Sequence, residues 1–276
     1  MYGKVPPLLT ASIARSVLEG VDRVSLDLGL SETEVRFDGL WVTIGGGSRV
    51  SKADLKKIAA REDAVFFPED ERVYQVAITD GRHHFKLVPT RGAPTLEIDG
   101  VRMHRTSGTE PWADSRGKLE ALSLQGGKVL DTCMGLGYTA IGALERGVDV
   151  VVSVERQAPV FRITEMNPWS KRLSELSGII LGDAFLAVDS LPSSFFDWVV
   201  HDPPRLTHAG DLYSEAFYRK FYQVIATGGR LFHYTGEPGS RRRGVDLQKG
   251  VQRRLRLVGF RNTEYHPQVM GVTCEK

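Results

Sequence analysis

The sequence predicts an α/β fold in which a mostly parallel sheet is preceded by a small β-rich domain. From Asp114 onward, short apolar runs alternate with stretches of helical spacing, a pattern typical of a parallel sheet with helices on both faces. Before residue 106 the apolar runs are instead separated by Asp-Gly pairs, which favour antiparallel hairpins. We therefore expect a β-rich domain over residues 1–105 and an α/β domain over residues 106–276.

The N-terminal region carries two kinds of local signal. Apolar spacing predicts short helices near residues 9–18 and 53–61. Asp-Gly pairs predict hairpins, because both central positions of the tightest hairpin turns need positive φ. The three predicted hairpins pair 34–37 with 40–44, 73–79 with 83–88, and 95–98 with 101–104. The polar segment 106–115, which contains Pro111, is the predicted domain boundary.

The C-terminal region is predicted to alternate strand and helix. The strands are expected near 128–132, 149–154, 178–181, 195–201 and 228–235. The helices are expected near 137–147, 158–167, 212–226 and 244–258. Two further short extended runs, 261–266 and 268–274, follow the last helix.

The composition is ordinary for a soluble globular protein, with 41% hydrophobic and 25% charged residues in 276. No run approaches the 18 or so apolar residues that a membrane span needs, and the first residues lack a signal-peptide layout. The two cysteines, Cys133 and Cys274, make no disulfide framework and have no metal-ligand spacing. We expect a cytoplasmic protein that has neither a membrane segment nor a bound metal.

One segment predicts a ligand site. Residues 128–137 read Lys-Val-Leu-Asp-Thr-Cys-Met-Gly-Leu-Gly, an apolar strand that runs into a turn with glycines at 135 and 137. Glycines allow the backbone to turn tightly and to approach a ligand closely. The next strand ends at Glu155, and a carboxylate at that position commonly binds ribose hydroxyls. Asp131 at the first strand tip would repel a pyrophosphate but suits a cationic amine. The pattern therefore predicts an adenosine-containing cofactor.

The motif D-x-x-x-G-x-G, followed by Glu155, Gly182-Asp183-Ala184 and a later Asp-Pro-Pro, resembles the class I S-adenosylmethionine-dependent methyltransferases. The resemblance covers about residues 114–276. It implies a Rossmann-like sheet with an antiparallel C-terminal strand, and S-adenosyl-L-methionine as cofactor. It places Asp131 near the methionine end of that cofactor, Glu155 on the ribose diol and Asp183 on the adenine amino group. The predicted cofactor-binding residues are Asp131, Thr132, Cys133, Met134, Gly135, Gly137, Glu155, Arg156, Asp183 and Ala184.

Each of these residues also has a simpler interpretation. Asp131 could cap the following helix, because aspartate accepts hydrogen bonds from helix amides. Glu155 could be a solvated strand end, and Asp183 a turn residue. Cys133 favours small apolar packing over a role as nucleophile.

The segment Asp202-Pro203-Pro204-Arg205 follows another predicted buried strand, and its four residues are the predicted catalytic residues. Two prolines stiffen the loop and remove two amide donors, so we expect its carbonyls to point outward. Together with the carboxylate they can accept hydrogen bonds from an amino group. The segment resembles the (Asn/Asp)-Pro-Pro-(aromatic) motif of methyltransferases that act on planar nitrogens. Arg205 departs from that motif, although an arginine plane can stack on a base or bind phosphate.

Two histidines, His201 and His233, end predicted strands beside this loop. Either is a candidate general base, because imidazole titrates near neutral pH. A structural role is the competing interpretation for both.

The larger pattern resembles a little-characterised, largely archaeal group of predicted methyltransferases. This likeness fixes the reaction class but not the substrate. The Asn167-Pro168 step inside it is also typical of a helix stop. The stretches that carry the likeness are Met103-His-Arg-Thr, Asn167-Pro-Trp-Ser, His201-Asp-Pro-Pro-Arg, Leu212-Tyr-Ser and Leu231-Phe-His-Tyr-Thr-Gly.

The methyl acceptor is predicted to be structured RNA or another planar-nitrogen compound. The net charge is only +2, but the segment 241–256 gathers arginines that can contact phosphates. The segment 241–256 could instead be a solvated helix face. A small molecule or amine and a protein are the alternative acceptors. An aminopropyltransferase of the spermidine-synthase type and a non-catalytic S-adenosylmethionine-binding subunit are the alternative functions. The sequence does not indicate an oligomeric state.

Overall fold

The computed structural model describes residues 5–204, 210–236 and 247–276. The chain forms two compact units. The first extends to Trp112 and includes Pro159–Ser174, and the second comprises Ala113–Ala158 and Glu175–Lys276. The predicted division into domains 1–105 and 106–276 stays a prediction.

The first unit is rich in short antiparallel strands, as the sequence predicts. Its helices are α1 (Ala11–Leu18) and α2 (Lys52–Ala59). Each begins at a hydroxyl cap, since Thr10 accepts from the Ile13 amide and Ser51 from the Asp54 amide. The strands are β1 (Arg23–Val24), β2 (Thr33–Glu34), β3 (Arg36–Asp38), β4 (Trp41–Ile44), β5 (Ser48–Ser51), β6 (Phe66–Glu69), β7 (Arg72–Gln75), β8 (Ala77–Thr79), β9 (His84–Val88), β10 (Thr95–Ile98) and β11 (Val101–Arg102).

These strands form small sheets. They are β1-β2, β3-β4-β5, β6-β7 and β11-β10-β9-β8. Four of the strands, namely β1, β2, β5 and β6, are not predicted from the sequence. Strands β7 and β8 are predicted as one strand, because the apolar pattern continues through Val76. In the structure the two strands pair in different sheets.

All three Asp-Gly pairs lie in hairpin connections, but the turn chemistry differs from the expectation. Both central positions have positive φ only at Asp99 (50°) and Gly100 (80°). At the other two turns the glycine alone has positive φ, with 56° at Gly39 and 89° at Gly81. Asp80 instead accepts hydrogen bonds from the amides of the loop it begins. An Asp-Gly pair therefore located each hairpin without specifying one turn type.

The second unit contains a seven-stranded sheet. Its strands are β12 (Lys128–Thr132), β13 (Val150–Glu155), β14 (Gly178–Leu181), β15 (Phe196–His201), β16 (Ile225–Tyr234), β17 (Arg261–His266) and β18 (Gly271–Glu275). Their order is β14-β13-β12-β15-β16-β18-β17. The first five are parallel, and β18 is antiparallel to β16 and β17. The predicted parallel sheet with an antiparallel C-terminal strand is confirmed.

The remaining helices are α3 (Pro111–Ala121), α4 (Tyr138–Leu144), α5 (Ala158–Glu165), α6 (Ala184–Ala187), α7 (Glu215–Val224) and α8 (Leu247–Val258). Most agree with the predicted helices within a few residues. Helices α3 and α6 are not among the predicted helices, and α3 begins inside the segment 106–115 that is predicted to be the domain boundary. Its Pro111 occupies the first helical turn, where a missing amide costs no hydrogen bond.

None of the helices in the described part of the chain is both long and apolar enough to cross a membrane. Among the described residues there is also no group of three or more His, Cys, Asp or Glu side chains that could hold a metal ion. Both cysteines are free thiols.

Candidate active site

The carboxyl ends of three parallel strands meet at one edge of the second unit's sheet. Thr132 at the end of β12 pairs in register with Val154 of β13 on one side and with His201 of β15 on the other. The glycine turn, Glu155 and Asp202 therefore follow adjacent strands at the same edge. Such an edge is where open α/β sheets bind ligands.

The turn after β12 has a distinctive backbone. The amides of Cys133 and Met134 both donate to the Val154 carbonyl, at 3.0 and 2.9 Å. Positive φ recurs at every second residue, with 96° at Cys133, 55° at Gly135 and 79° at Gly137. Glycine adopts such angles without strain, whereas a residue with a Cβ pays on the order of 1–2 kcal/mol. Cys133 is thus a strained position within the predicted cofactor turn.

Glu155 is a buried carboxylate, with only 7% of the residue exposed. Its Oε2 accepts the Gly135 amide at 2.9 Å and its Oε1 accepts the Gln157 amide at 2.8 Å. Burial raises the pKa of Glu155, and the backbone hydrogen bonds oppose that rise. The interpretation of Glu155 as a solvated strand end is therefore wrong. A carboxylate offers about four lone-pair sites, so the group can still accept a hydrogen bond from a ligand's hydroxyl.

Asp131 lies beneath the turn and is fully buried. Its two oxygens accept hydrogen bonds from the hydroxyls of Thr139, at 2.9 Å, and Ser153, at 2.5 Å. Burial raises the pKa of Asp131 to about 6. Asp131 thus links β12 to α4 and β13. The direct contact with the methionine end that the resemblance implies stays a prediction.

Asp183 caps helix α6, since its Oδ1 accepts the Phe185 amide at 2.8 Å. The simpler interpretation of this residue is a turn residue, and the structure instead shows a helix cap. Its other oxygen, Oδ2, lies 3.8 Å from Nη1 of Arg156, whose side chain is 74% exposed. Ala184 is buried behind this cap. Contact of Arg156, Asp183 and Ala184 with an adenosine stays a prediction.

Asp202 is held by a lysine that the sequence analysis missed. Lys118 Nζ lies 2.5 Å from Asp202 Oδ2 and 2.9 Å from Asp114 Oδ2. The side chains of Lys118 and Asp114 are 4% and 2% exposed, whereas that of Asp202 is 23% exposed. Burial disfavours the ammonium, but the two carboxylates outweigh it and raise the pKa of Lys118. The i,i+4 spacing of Asp114 and Lys118 is the signal that could have indicated this pair, had the segment been recognised as a helix.

The loop after Asp202 is partly anchored. Pro203 is buried and Pro204 is exposed. The Tyr213 hydroxyl donates to the Pro204 carbonyl at 3.0 Å. The expectation that the loop carbonyls point outward is therefore wrong for Pro204, whose carbonyl binds within the unit. Arg205 lies outside the described residues.

The two histidines are structural. His201 is fully buried, accepts from the Thr132 hydroxyl at Nδ1 (2.7 Å) and donates from Nε2 to the Leu212 carbonyl (3.0 Å). Burial lowers its pKa to about 3. His233 is equally buried, accepts from the Tyr218 hydroxyl (2.9 Å) and donates to the Tyr234 carbonyl (2.8 Å). Burial also lowers its pKa. The hypothesis that either is a general base is wrong, because both rings are fully buried and both nitrogens of each ring are committed to internal hydrogen bonds.

The neighbouring turn residues are largely inaccessible. Thr132 and Met134 are buried. Burial and the carboxylates of Glu155 and Asp131 raise the pKa of Cys133 well above its usual value. A thiol in that state is a poor nucleophile, so the geometry agrees with the interpretation of Cys133 as a packing residue.

Two of the stretches that carry the group resemblance, Met103–Thr106 and Asn167–Ser170, belong to the first unit. Helix α5 ends at Glu165, and a 3₁₀ helix begins at Pro168. The Asn167 amide group donates to the Ser170 hydroxyl at 2.8 Å. The interpretation of Asn167-Pro168 as a helix stop is confirmed.

A curated relative spans almost the whole chain. The uncharacterized protein MJ1233 of Methanocaldococcus jannaschii is 42% identical over 279 residues, covering 97% of this chain and 95% of that protein. The chain belongs to the MJ1233 family. A family model described as conserved hypothetical protein 95 matches residues 115–221, inside the region in which the sequence resembles class I methyltransferases.

Solved structures confirm the fold predicted for the MJ1233 family member. Spermidine synthase from Thermotoga maritima superposes with a TM-score of 0.57 at 16% identity, over 75% of each chain. MNMC2 from Aquifex aeolicus superposes with a TM-score of 0.51 at 19% identity, over 71% of this chain and 72% of that one. The sheet order and its antiparallel strand are those of class I methyltransferase Rossmann-like folds. The expected link to a group defined by the Asp-Pro-Pro-Arg motif stays a prediction.

Proposed function

We propose that this protein is an S-adenosylmethionine-dependent methyltransferase. The observation that carries the proposal is the buried Glu155 carboxylate, which is fixed by the Gly135 amide at the sheet edge. A buried carboxylate is costly unless it is hydrogen-bonded. Here backbone amides, including those of Gly135 and Gln157, hold it, and a lone pair remains for a ribose hydroxyl.

The residues at this edge fit an adenosyl cofactor with a cationic centre. Glu155 would hold the ribose hydroxyls, and Gly135 and Gly137 let the backbone turn close to the ligand. Asp183 caps helix α6 through one lone pair, and its remaining lone pairs would accept a hydrogen bond from the adenine amino group. Asp131 and Asp202 add negative potential at the edge, which suits a sulfonium and an amino group. When bound, S-adenosylmethionine supplies an electrophilic methyl group.

Asp202 is the residue proposed to handle the methyl acceptor. Its Oδ2 faces Lys118, and its partial exposure leaves carboxylate lone pairs for an acceptor N–H. Accepting that hydrogen bond would orient the nitrogen lone pair, and orientation alone can supply several powers of ten in rate. Burial raises the pKa of Asp202 while Lys118 opposes that rise. A carboxylate of raised pKa is also better suited to take the proton that the nitrogen loses.

We further propose that the acceptor is a planar nitrogen in structured RNA. Support comes from helix α8, where Lys249, Arg253 and Arg256 are exposed while Val251 and Leu255 are buried. The basic residues follow i, i+4, i+7 spacing and so share one helix face. Arginine and lysine on one face can contact successive phosphates without sequence selectivity. The adjoining arginines 241–243 lie outside the described residues.

An aminopropyltransferase is the second candidate. The observation in its favour is the fold likeness to spermidine synthase over three quarters of the chain. Such an enzyme would use the decarboxylated cofactor and a polyamine acceptor. The acidic edge could also attract a polyamine. At Asp202, however, the Lys118 ammonium already compensates the charge of the carboxylate, which makes it a weaker partner for a cationic polyamine than for a neutral planar nitrogen.

Donor choice separates these functions. The purified protein would be incubated with radiolabelled S-adenosylmethionine or with its decarboxylated form, each with total RNA, a polyamine mixture and a protein extract. We expect label from S-adenosylmethionine in the RNA fraction, and none in a parallel reaction with Asp202→Asn. Transfer only from the decarboxylated donor to polyamines would establish the aminopropyltransferase. Binding of S-adenosylmethionine without transfer to any fraction would indicate a non-catalytic binding subunit.

A further inference from the structure

We propose that Lys118 is a positioning residue that aims the Asp202 carboxylate and keeps it ionised. Its effect on turnover rests on the proposed methyltransferase function. Its effect on Asp202 itself does not, and can be measured in the absence of any reaction.

The contacts leave the ammonium few alternative positions. Its nitrogen lies 2.5 Å from Asp202 Oδ2 and 2.9 Å from Asp114 Oδ2. The face of the Tyr234 ring lies 4.8 Å from the same nitrogen. An ammonium has three donor hydrogens, and these three neighbours surround it. The lysine side chain is only 4% exposed. Its bond to Oδ2 fixes one oxygen of Asp202 and thereby also sets the direction of the other oxygen.

Stability does not account for a lysine at this place. Two charges taken out of water lose hydration that their attraction repays only in favourable geometry. A well-packed apolar side chain commonly stabilises such a site as well or better. Helix α3 nevertheless places Asp114 one turn before Lys118, on the same face, so that the ammonium is itself oriented. Asp114, Lys118 and Asp202 form a chain of opposite charges that ends at the partly exposed Asp202. The orientation and ionisation of the Asp202 carboxylate therefore best explain this arrangement.

The charges around Asp202 predict opposite shifts of its pKa for two substitutions. Lys118 lowers the pKa of Asp202, whereas Asp114 raises it. Removing the ammonium should therefore raise the pKa of Asp202, and neutralising Asp114 should lower it. The titratable groups that interact with Asp202 across the neighbouring elements are Lys118, Asp114, Asp131, Cys133 and Tyr213.

The test compares Lys118→Met and Asp114→Asn with the wild-type protein. The pKa of Asp202 would be read from carboxyl ¹³C resonances of labelled protein, with Asp202→Asn to assign the signal. We expect Lys118→Met to raise it by about one unit or more and Asp114→Asn to lower it by a smaller amount. The acid limb of the plot of kcat against pH should move in the same directions. The Kd for S-adenosylmethionine should stay within about threefold of the wild-type value.

Two further variants control for folding and charge. Lys118→Arg retains the positive charge and should retain the acid limb of the wild type. Lys86 in the first unit bridges Asp63 and Glu97, at 2.6 and 3.0 Å, with 11% of its side chain exposed. Lys86→Met therefore removes another lysine that bridges two carboxylates, and should change thermal stability but not the pH profile.

The outcomes are distinguishable. An Asp202 pKa that does not move in Lys118→Met, or that moves in the same direction in both variants, would overturn the proposal. If Lys118→Met does not fold, the test rests on Asp114→Asn alone: a lowered pKa of Asp202 supports the proposal and a raised pKa overturns it. If the pKa shifts are found but the wild-type protein transfers no methyl group, the proposed function fails while the assignment of Lys118 to Asp202 stands.

Discussion

At the scale of single residues, the candidate site is built from carboxylates that would be costly in isolation. Glu155 is held by backbone amides, Asp131 by hydroxyls and Asp202 by an ammonium. Each partner stabilises the charged form and limits the directions in which the group can act. Substitution at these positions should therefore separate cofactor binding from turnover.

Glu155→Ala should weaken S-adenosylmethionine binding by about 1–3 kcal/mol, the cost of leaving buried polar partners unpaired. Isothermal titration calorimetry should show wild-type binding in the micromolar range, about −8 kcal/mol. Glu264→Ala, at an exposed site on β17, is the control and should bind like the wild type. Binding of NAD in place of S-adenosylmethionine would contradict the cofactor assignment.

Asp202→Ala should abolish methyl transfer while cofactor affinity stays within about threefold, under 1 kcal/mol. The reason is that Asp202 is proposed to orient the acceptor rather than the cofactor. Single-turnover rates and calorimetric affinities on the same preparation would check this expectation. An equal loss of cofactor binding would instead make Asp202 a structural residue of the loop.

At the scale of elements, strands β15 and β16 place His201 and His233 side by side, with ring centroids 4.5 Å apart. The folded pKa of His201, about 3, lies below its ordinary value of 6.5. The neutral ring therefore stabilises the fold above pH 6.5, and this contribution is lost as the pH falls towards 3. The cause is that the unfolded chain binds a proton that the buried ring rejects.

His201→Gln removes that linkage and should flatten the acid side of the stability curve. Between pH 7 and 5 the wild type should lose about 2 kcal/mol of unfolding free energy relative to the variant. Urea unfolding at several pH values would measure the difference. Curves that stay parallel over this interval would mean that His201 is protonated in the folded state.

The pairing of β16 with β18 depends on a glycine. A Cβ at Gly271 would lie 2.2 Å from Cζ of the buried Phe232. Gly271→Ala should therefore destabilise the fold by about 1–3 kcal/mol through overpacking. Gly178→Ala on β14, where a Cβ would meet nothing within 4 Å, is the matched control and should stay within about 0.5 kcal/mol. Chemical denaturation of both variants gives the comparison, and equal stabilities would contradict the packing argument.

At the scale of the whole molecule, the RNA proposal predicts a strong salt dependence. Affinity should fall linearly with the logarithm of salt concentration, with a slope set by the number of phosphates neutralised. Replacing arginines 241–243 by alanine should reduce the slope by about two to three, and Arg253→Ala with Arg256→Ala by about two. Arg219→Ala, which removes a partner of Glu215 on α7, should leave it unchanged. A salt-independent affinity would contradict an RNA acceptor.

Much of the second unit could be predicted because its signals are local. The glycine turn, the apolar strands and the Asp-Pro-Pro segment follow one another along the chain, and parallel strands bring their carboxyl ends to one edge. The predicted strand β12 and the C-terminal strand β17 agree with the structure residue for residue. The short strands β1, β2, β5 and β6 were missed because two to four residues carry too little periodicity to indicate an element.

The amino-acid pattern was enough to predict the fold class, the strand order of the seven-stranded sheet along the chain and the turn expected to bind a cofactor. These depend on backbone chemistry within about ten residues, which a single sequence displays directly. Which side chains meet depends on the tertiary structure. It brought Lys118 to Asp202, 84 residues apart in the chain, buried Asp131 beneath the turn and committed both histidines to internal hydrogen bonds. Burial and pairing over such separations depend on packing, and packing sets the pKa values and the exposure on which the chemistry depends.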